Sequence, residues 1–102
     1  MTNLWIDDLR EPPRDDSKWL WAKTSRNAIV LLSGTSTIFE EISFDHDLGG
    51  DDTTRPVMTW MIEHLEPTQW PDKIVIHTAN PVGAQWLRGT ARRYAPEGVK
   101  VV

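Results

Sequence analysis

Three times this chain runs a short apolar stretch into polar side chains. Leu4-Trp5-Ile6 leads into Asp7-Asp8, Ile42-Ser43-Phe44 into Asp45-His46-Asp47, and Ile74-Val75-Ile76 into His77-Thr78-Ala79-Asn80. Short, mostly apolar runs bounded in this way read as strands buried on both faces, which is the pattern of a parallel sheet rather than of alternating hairpins. Trp19-Leu20-Trp21-Ala22 and Val99-Lys100-Val101-Val102 supply two further strands, and the third strand is expected to extend from Ile38 to Asp45. The fold class is therefore α/β: one small, doubly wound, mainly parallel five-stranded sheet covered on both faces, a single domain over residues 1–102.

The segments between strands carry helix signals. Thr24 is placed to cap a helix in which Ala28, Leu31 and Leu32 share a face, with Gly34 at its end. Thr53 or Thr54 is expected to cap a second helix, with Pro56 in its first turn. Its inner stripe is Val57, Trp60, Met61, His64 and Leu65, and Pro67 and Pro71 close it. Asn80-Pro81 reads as the cap and first residue of a third, with Leu87, Ala91 and Tyr94 facing inward and Pro96 and Gly98 beyond its end. Leu9 to Lys18, with Pro12 and Pro13, reads as loop.

In a parallel sheet the ends of the first, third and fourth strands lie together, and ligands bind beyond strand carboxyl ends. Gly49 and Gly50 let the backbone turn sharply after Asp47. Asp7, Asp8 and Asp45 are oxygen ligands of the kind Mg²⁺ or Mn²⁺ prefers. Coming from different strands, His46 and His77 are candidate general base and general acid, with Asp47 orienting either; the same pair also permits a metal-free route. Arg10 and Asn80 are candidate phosphate contacts, Arg10 with the alternative of a surface ion-pair partner and Asn80 of a plain cap. His64 reads as a packed or boundary histidine, and Arg88, Arg92 and Arg93 as a solvated helix face. The six tryptophans are expected to be mainly core mass, with Trp5 or Trp86 available to stack on a base.

Composition narrows the classes. With no cysteine and three histidines, thiolate zinc sites and disulfides are excluded. A formal charge of −4 argues against long nucleic acid as a partner. No apolar run reaches membrane-spanning length and the opening residues carry no signal peptide, so the expectation is no membrane and a cytoplasmic location. Exposed strand edges leave a homo-oligomer open.

The chain resembles the receiver domains of two-component signalling. Leu4-Trp5-Ile6-Asp7-Asp8 is similar to their first strand, Ile42-Ser43-Phe44-Asp45 to the strand of the phosphoacceptor aspartate, and Ile76-His77-Thr78-Ala79 to that of the switch threonine. The resemblance implies a strand order of 2-1-3-4-5, with the first and last receiver helices missing. It also departs from the family: Lys100 lies mid-strand, not at the end of the fifth strand where a receiver keeps its lysine. Trp5-Ile6-Asp7-Asp8-Leu9-Arg10, Ser43-Phe44-Asp45-His46-Asp47-Leu48-Gly49 and His77-Thr78-Ala79-Asn80-Pro81-Val82-Gly83 together resemble the cyclic-phosphate-processing receiver-like group. That resemblance implies opening of a cyclic phosphate on a nucleotide or RNA end. The expected ligand is thus a small phosphorylated molecule, contacted by Arg10, Thr78 and Asn80 and cleaved by a metal-assisted phosphoesterase. The alternatives are a module that sequesters a cyclic nucleotide and a degenerate receiver used for protein interaction.

Overall fold

The computed structural model describes residues 2–34 and 38–102. In chain order it contains strand β1 (Thr2–Ile6), strand β2 (Lys18–Ala22), helix α1 (Ser25–Ser33), strand β3 (Glu41–Phe44), helix α2 (Arg55–His64), strand β4 (Lys73–Ile76), helix α3 (Pro81–Tyr94) and strand β5 (Lys100–Val101). The strands form one parallel sheet in the order β2-β1-β3-β4-β5. The register sets Leu4 beside Ile42 and Ile42 beside Ile74, and Ile6 beside Phe44 and Phe44 beside Ile76.

Direction along the sheet decides which face each connection takes. The crossovers through α1, α2 and α3 all advance from β2 towards β5, so right-handed connections put the three helices on one face, where α1 packs on α2 and α2 on α3. The step from β1 to β2 goes the other way, so residues 7–17 cross the opposite face. The second face is therefore covered by a loop, as the expected absence of the first and last receiver helices implies. Leu4, Ile6, Ile42, Phe44 and Ile74 are fully buried on the helix side against Val57, Met58, Met61, Leu87 and Ala91. Each such side chain contributes about 1.5–3 kcal/mol of burial free energy.

The opposite face carries Trp5, Trp19, Trp21 and Ser43, because strand side chains alternate. Its covering segment is held by indole N–H groups: Trp5 donates to the Arg10 carbonyl (2.8 Å), Trp21 to the Asp7 carbonyl (2.7 Å) and Trp19 to the Asp15 carboxylate (3.1 Å). These tryptophans are half-buried rather than core mass; of the six, Trp70 alone is buried.

Helix ends follow the sequence signals in two cases and depart in one. The Thr24 hydroxyl accepts from the Asn27 amide, and the Asn80 side chain accepts from the Gly83 amide behind Pro81. Thr54 occupies the cap position of α2 but does not cap with its side chain. Fully buried, its hydroxyl donates instead to the Asp45 carbonyl at 2.6 Å, tying α2 to the end of β3. Three expectations are corrected. The β3 ladder starts at Glu41, Ile38 being exposed. Tyr94, expected to face inward, lies at a helix end and is exposed, whereas His64, read as packed or boundary, sits at the end of α2 tilted against Trp60. Arg88 is half-buried and donates to the Ile76 carbonyl, which the two-residue β5 leaves free.

Candidate functional site

Beyond the carboxyl ends of β1, β3 and β4 lies a cavity of about 420 Å³. Asp7, Asp8, Arg10, Asp45, Asp47, Thr78 and Asn80 line it, and carboxylate oxygens of Asp7, Asp8 and Asp45 come within 4.8 Å of one another. Of the nine candidate catalytic, phosphate-contact and metal-ligand residues, only His46 and His77 are not on its wall.

Asp7 is the most constrained of the three acids. A carboxylate has about four acceptor positions, and all are taken. Oδ1 accepts the amides of Leu9 and Arg10, each at 2.9 Å, while Oδ2 accepts Arg10 Nε at 3.1 Å and His77 Nε2 at 2.9 Å. Burial works to raise its pKa, but the two amides and the His77 ring outweigh that and hold the carboxyl below its ordinary value. The Arg10 guanidinium also lies 3.6 Å from Asp45 Oδ1 and donates to the His77 carbonyl at 3.0 Å. Asp45 is held by the His46 amide at 2.8 Å. Gly49 has a φ of 89°, a conformation that side chains with a Cβ rarely adopt, which is why the turn after Asp47 needs glycine there, 3.2 Å being left between a would-be Cβ and Asp8 Oδ2.

Each histidine braces one carboxylate, and both of its ring nitrogens are engaged in doing so. His77 gives Nε2–H to Asp7, so Nδ1 is the acceptor for the Ser43 hydroxyl at 2.7 Å, and the ring stacks on Trp5 at 4.0 Å and 3°. Burial lowers the His77 pKa against the pull of Asp7, which keeps the ring neutral at pH 7. At His46, Arg55 Nε donates to Nε2 at 2.9 Å, which leaves Nδ1–H for Asp47 Oδ1 at 3.1 Å. Asn80 Nδ2 reaches the other Asp47 oxygen at 3.0 Å, and these two bonds, Asn80 first, lower the Asp47 pKa. The Asn80 side chain is thus spent on the helix cap and Asp47, and Thr78 accepts from the Asn80 amide at 3.2 Å. Neither imidazole presents a free nitrogen to the cavity: His77 is bonded to Asp7 and Ser43, and His46 to Asp47 and Arg55.

Four residues to which the sequence reading gave no role complete the site. Ser43 fixes the His77 tautomer; its signal was a lone hydroxyl in an apolar strand. Arg55 fixes the His46 tautomer and lies over the Trp86 ring at 4.8 Å. Trp86 therefore holds an arginine rather than standing open for a base, and Trp5 is covered by His77. Gly83 lets α3 approach, since a Cβ there would fall 2.3 Å from the His46 ring. Asp52 binds the Ser25 amide and hydroxyl at 2.9 and 2.6 Å, anchoring the loop after β3 to α1.

A five-stranded parallel sheet in this order, with acids at the ends of β1 and β3 and a threonine after β4, defines a receiver-like α/β protein. The family model of the cyclic-phosphate processing receiver domain matches residues 2–93, and the chain belongs to that family. No curated protein and no solved structure matched it. Among the described residues, no helix is long and apolar enough to cross a membrane.

Proposed function

We propose that this receiver domain is a phosphoesterase acting on a cyclic phosphate of a nucleotide or RNA end. The observation that carries this reading is the meeting of Asp7, Asp8 and Asp45 with a guanidinium in one cavity. Carboxylates alone would repel an anionic substrate. Asp8 and Asp45 have acceptor positions free of Arg10 and His77 and would hold Mg²⁺ or Mn²⁺, with saturated Asp7 behind them; a bound ion would polarise the phosphoryl oxygen and lower the pKa of a water. Arg10 neutralises charge developing on the phosphoryl group. Asp47, kept ionised by Asn80 and His46, orients the attacking water. His46 and His77 serve by fixing Asp47 and Asp7, not by exchanging protons with substrate.

The test is turnover of a panel of 2′,3′- and 3′,5′-cyclic nucleotides by the purified protein with Mn²⁺ or Mg²⁺. Asp45→Asn and Asp8→Asn should each reduce turnover at least 100-fold, on the order expected when a ligand for a catalytic ion is lost, with the circular dichroism spectrum unchanged. No turnover of any member by the folded wild-type protein would overturn the reading. A second reading is favoured by the full engagement of both imidazoles: a module that binds a cyclic nucleotide without cleaving it. Intact ligand recovered from a heat-denatured complex would establish that reading instead.

A further inference from the structure

Arg10 does more than line the cavity. Its main chain is fixed from both sides, the amide donating to Asp7 Oδ1 at 2.9 Å and the carbonyl accepting from Trp5 Nε1 at 2.8 Å. Its side chain is 54% exposed. The residue is therefore an anchored base with a half-exposed head, which also donates to the His77 carbonyl at 3.0 Å. In the position seen, that head supplies one of the two bonds to Asp7 Oδ2 and faces Asp45 as well. The other bond to Oδ2 comes from His77, which is packed under Trp5. Among the donors on that oxygen, Arg10 Nε is the one able to leave without disturbing the sheet.

We infer that Arg10 is a tethered counter-cation that exchanges with a divalent ion. With the guanidinium on Asp7 and Asp45, the acids are partly neutralised and the cavity discriminates against free cations. When a divalent ion takes Asp8 and Asp45, its charge repels the guanidinium 3.6 Å from Asp45, which turns from Asp7 to the phosphate of the ligand, so ion and phosphate bind cooperatively. The inference rests on the phosphate reading of this cavity, and it determines which residue couples the two ligands.

The experiment is a calorimetric Mn²⁺ titration of wild-type protein, Arg10→Gln and Arg10→Lys without substrate, followed by inorganic phosphate at saturating Mn²⁺. Removing a cation beside a carboxylate favours a competing cation by roughly tenfold or more. Arg10→Gln should therefore bind Mn²⁺ about tenfold more tightly, yet bind phosphate in the presence of Mn²⁺ at least tenfold more weakly; Arg10→Lys should lie between. In wild-type protein, saturating Mg²⁺ should shift the Arg10 Nε–Hε resonance, a readout that does not depend on a variant folding. Equal or weaker Mn²⁺ affinity in folded Arg10→Gln, no Mn²⁺ binding by either protein, or an Arg10 resonance that Mg²⁺ leaves in place would overturn the exchange. Turnover of the cyclic nucleotide panel alongside any of these results would leave the phosphoesterase reading standing.

Discussion

Ser43 and Phe44 are neighbours on one strand and belong to different parts of the molecule. Phe44 points under the three helices into the buried apolar cluster, where burial free energy accumulates. Ser43 points to the other face, where its hydroxyl meets His77, which holds Asp7 and stacks on Trp5. One face stabilises the domain, and the other, relieved of helices, braces the site. The difference explains how so short a chain accommodates both tasks: the connection over the second face is held by directed hydrogen bonds instead of a packed core.

The largest effect tests the helix side. Phe44→Ala should lose about 3–5 kcal/mol, a large share of the roughly 5–15 kcal/mol of a domain this size, seen as loss of cooperative thermal unfolding or a Tm lower by roughly 4–8 °C per kcal/mol. A loss under 1 kcal/mol would erase the contrast between faces.

The brace is probed by pH. His77 has a pKa lowered in the folded state, so on acidification the unfolded chain takes up its proton first, and stability falls as pH drops below the ordinary histidine value of about 6.5. Asp7 and Asp47, also lowered, add their loss only below about pH 3.8. Denaturant midpoints should therefore decline between pH 7 and 5 in the wild-type protein. His77→Gln should flatten that slope while losing about 1–3 kcal/mol at pH 7 through the unpaired Asp7 and Ser43. An unchanged slope would show that another group dominates.

The smallest effect concerns the covering segment. Trp19→Phe removes the bond to the exposed Asp15 and should change stability by about 0.5–1 kcal/mol, measured by urea unfolding, while proteolytic nicking within residues 9–17 accelerates.

The carboxylate cluster was legible because strand order alone brings Asp7, Asp8 and Asp45 together once the sheet is parallel. The caps at Thr24 and Asn80 were legible because each bonds an amide three residues on. The hydrogen-bond partners of the two histidines were not legible. What an imidazole does depends on both its nitrogens, and the partners that decide this, Ser43 for His77 and Arg55 for His46, are brought up by tertiary packing. The loop over the second face was legible from Pro12 and Pro13 in residues 9–18; the indole bonds that hold it were not, since apolar strands advertise burial without saying what provides it. Thr54 shows the same limit on a small scale, since a good capping residue was claimed by the nearer carbonyl of Asp45.

The stack of His77 on Trp5 has a consequence for observation. Indole emission is quenched by a protonated imidazole in van der Waals contact, so proton uptake at His77 dims Trp5. With the other tryptophans replaced by phenylalanine, the intensity of one residue would follow the support behind Asp7 in real time, giving the site an intrinsic optical reporter at no cost of a label.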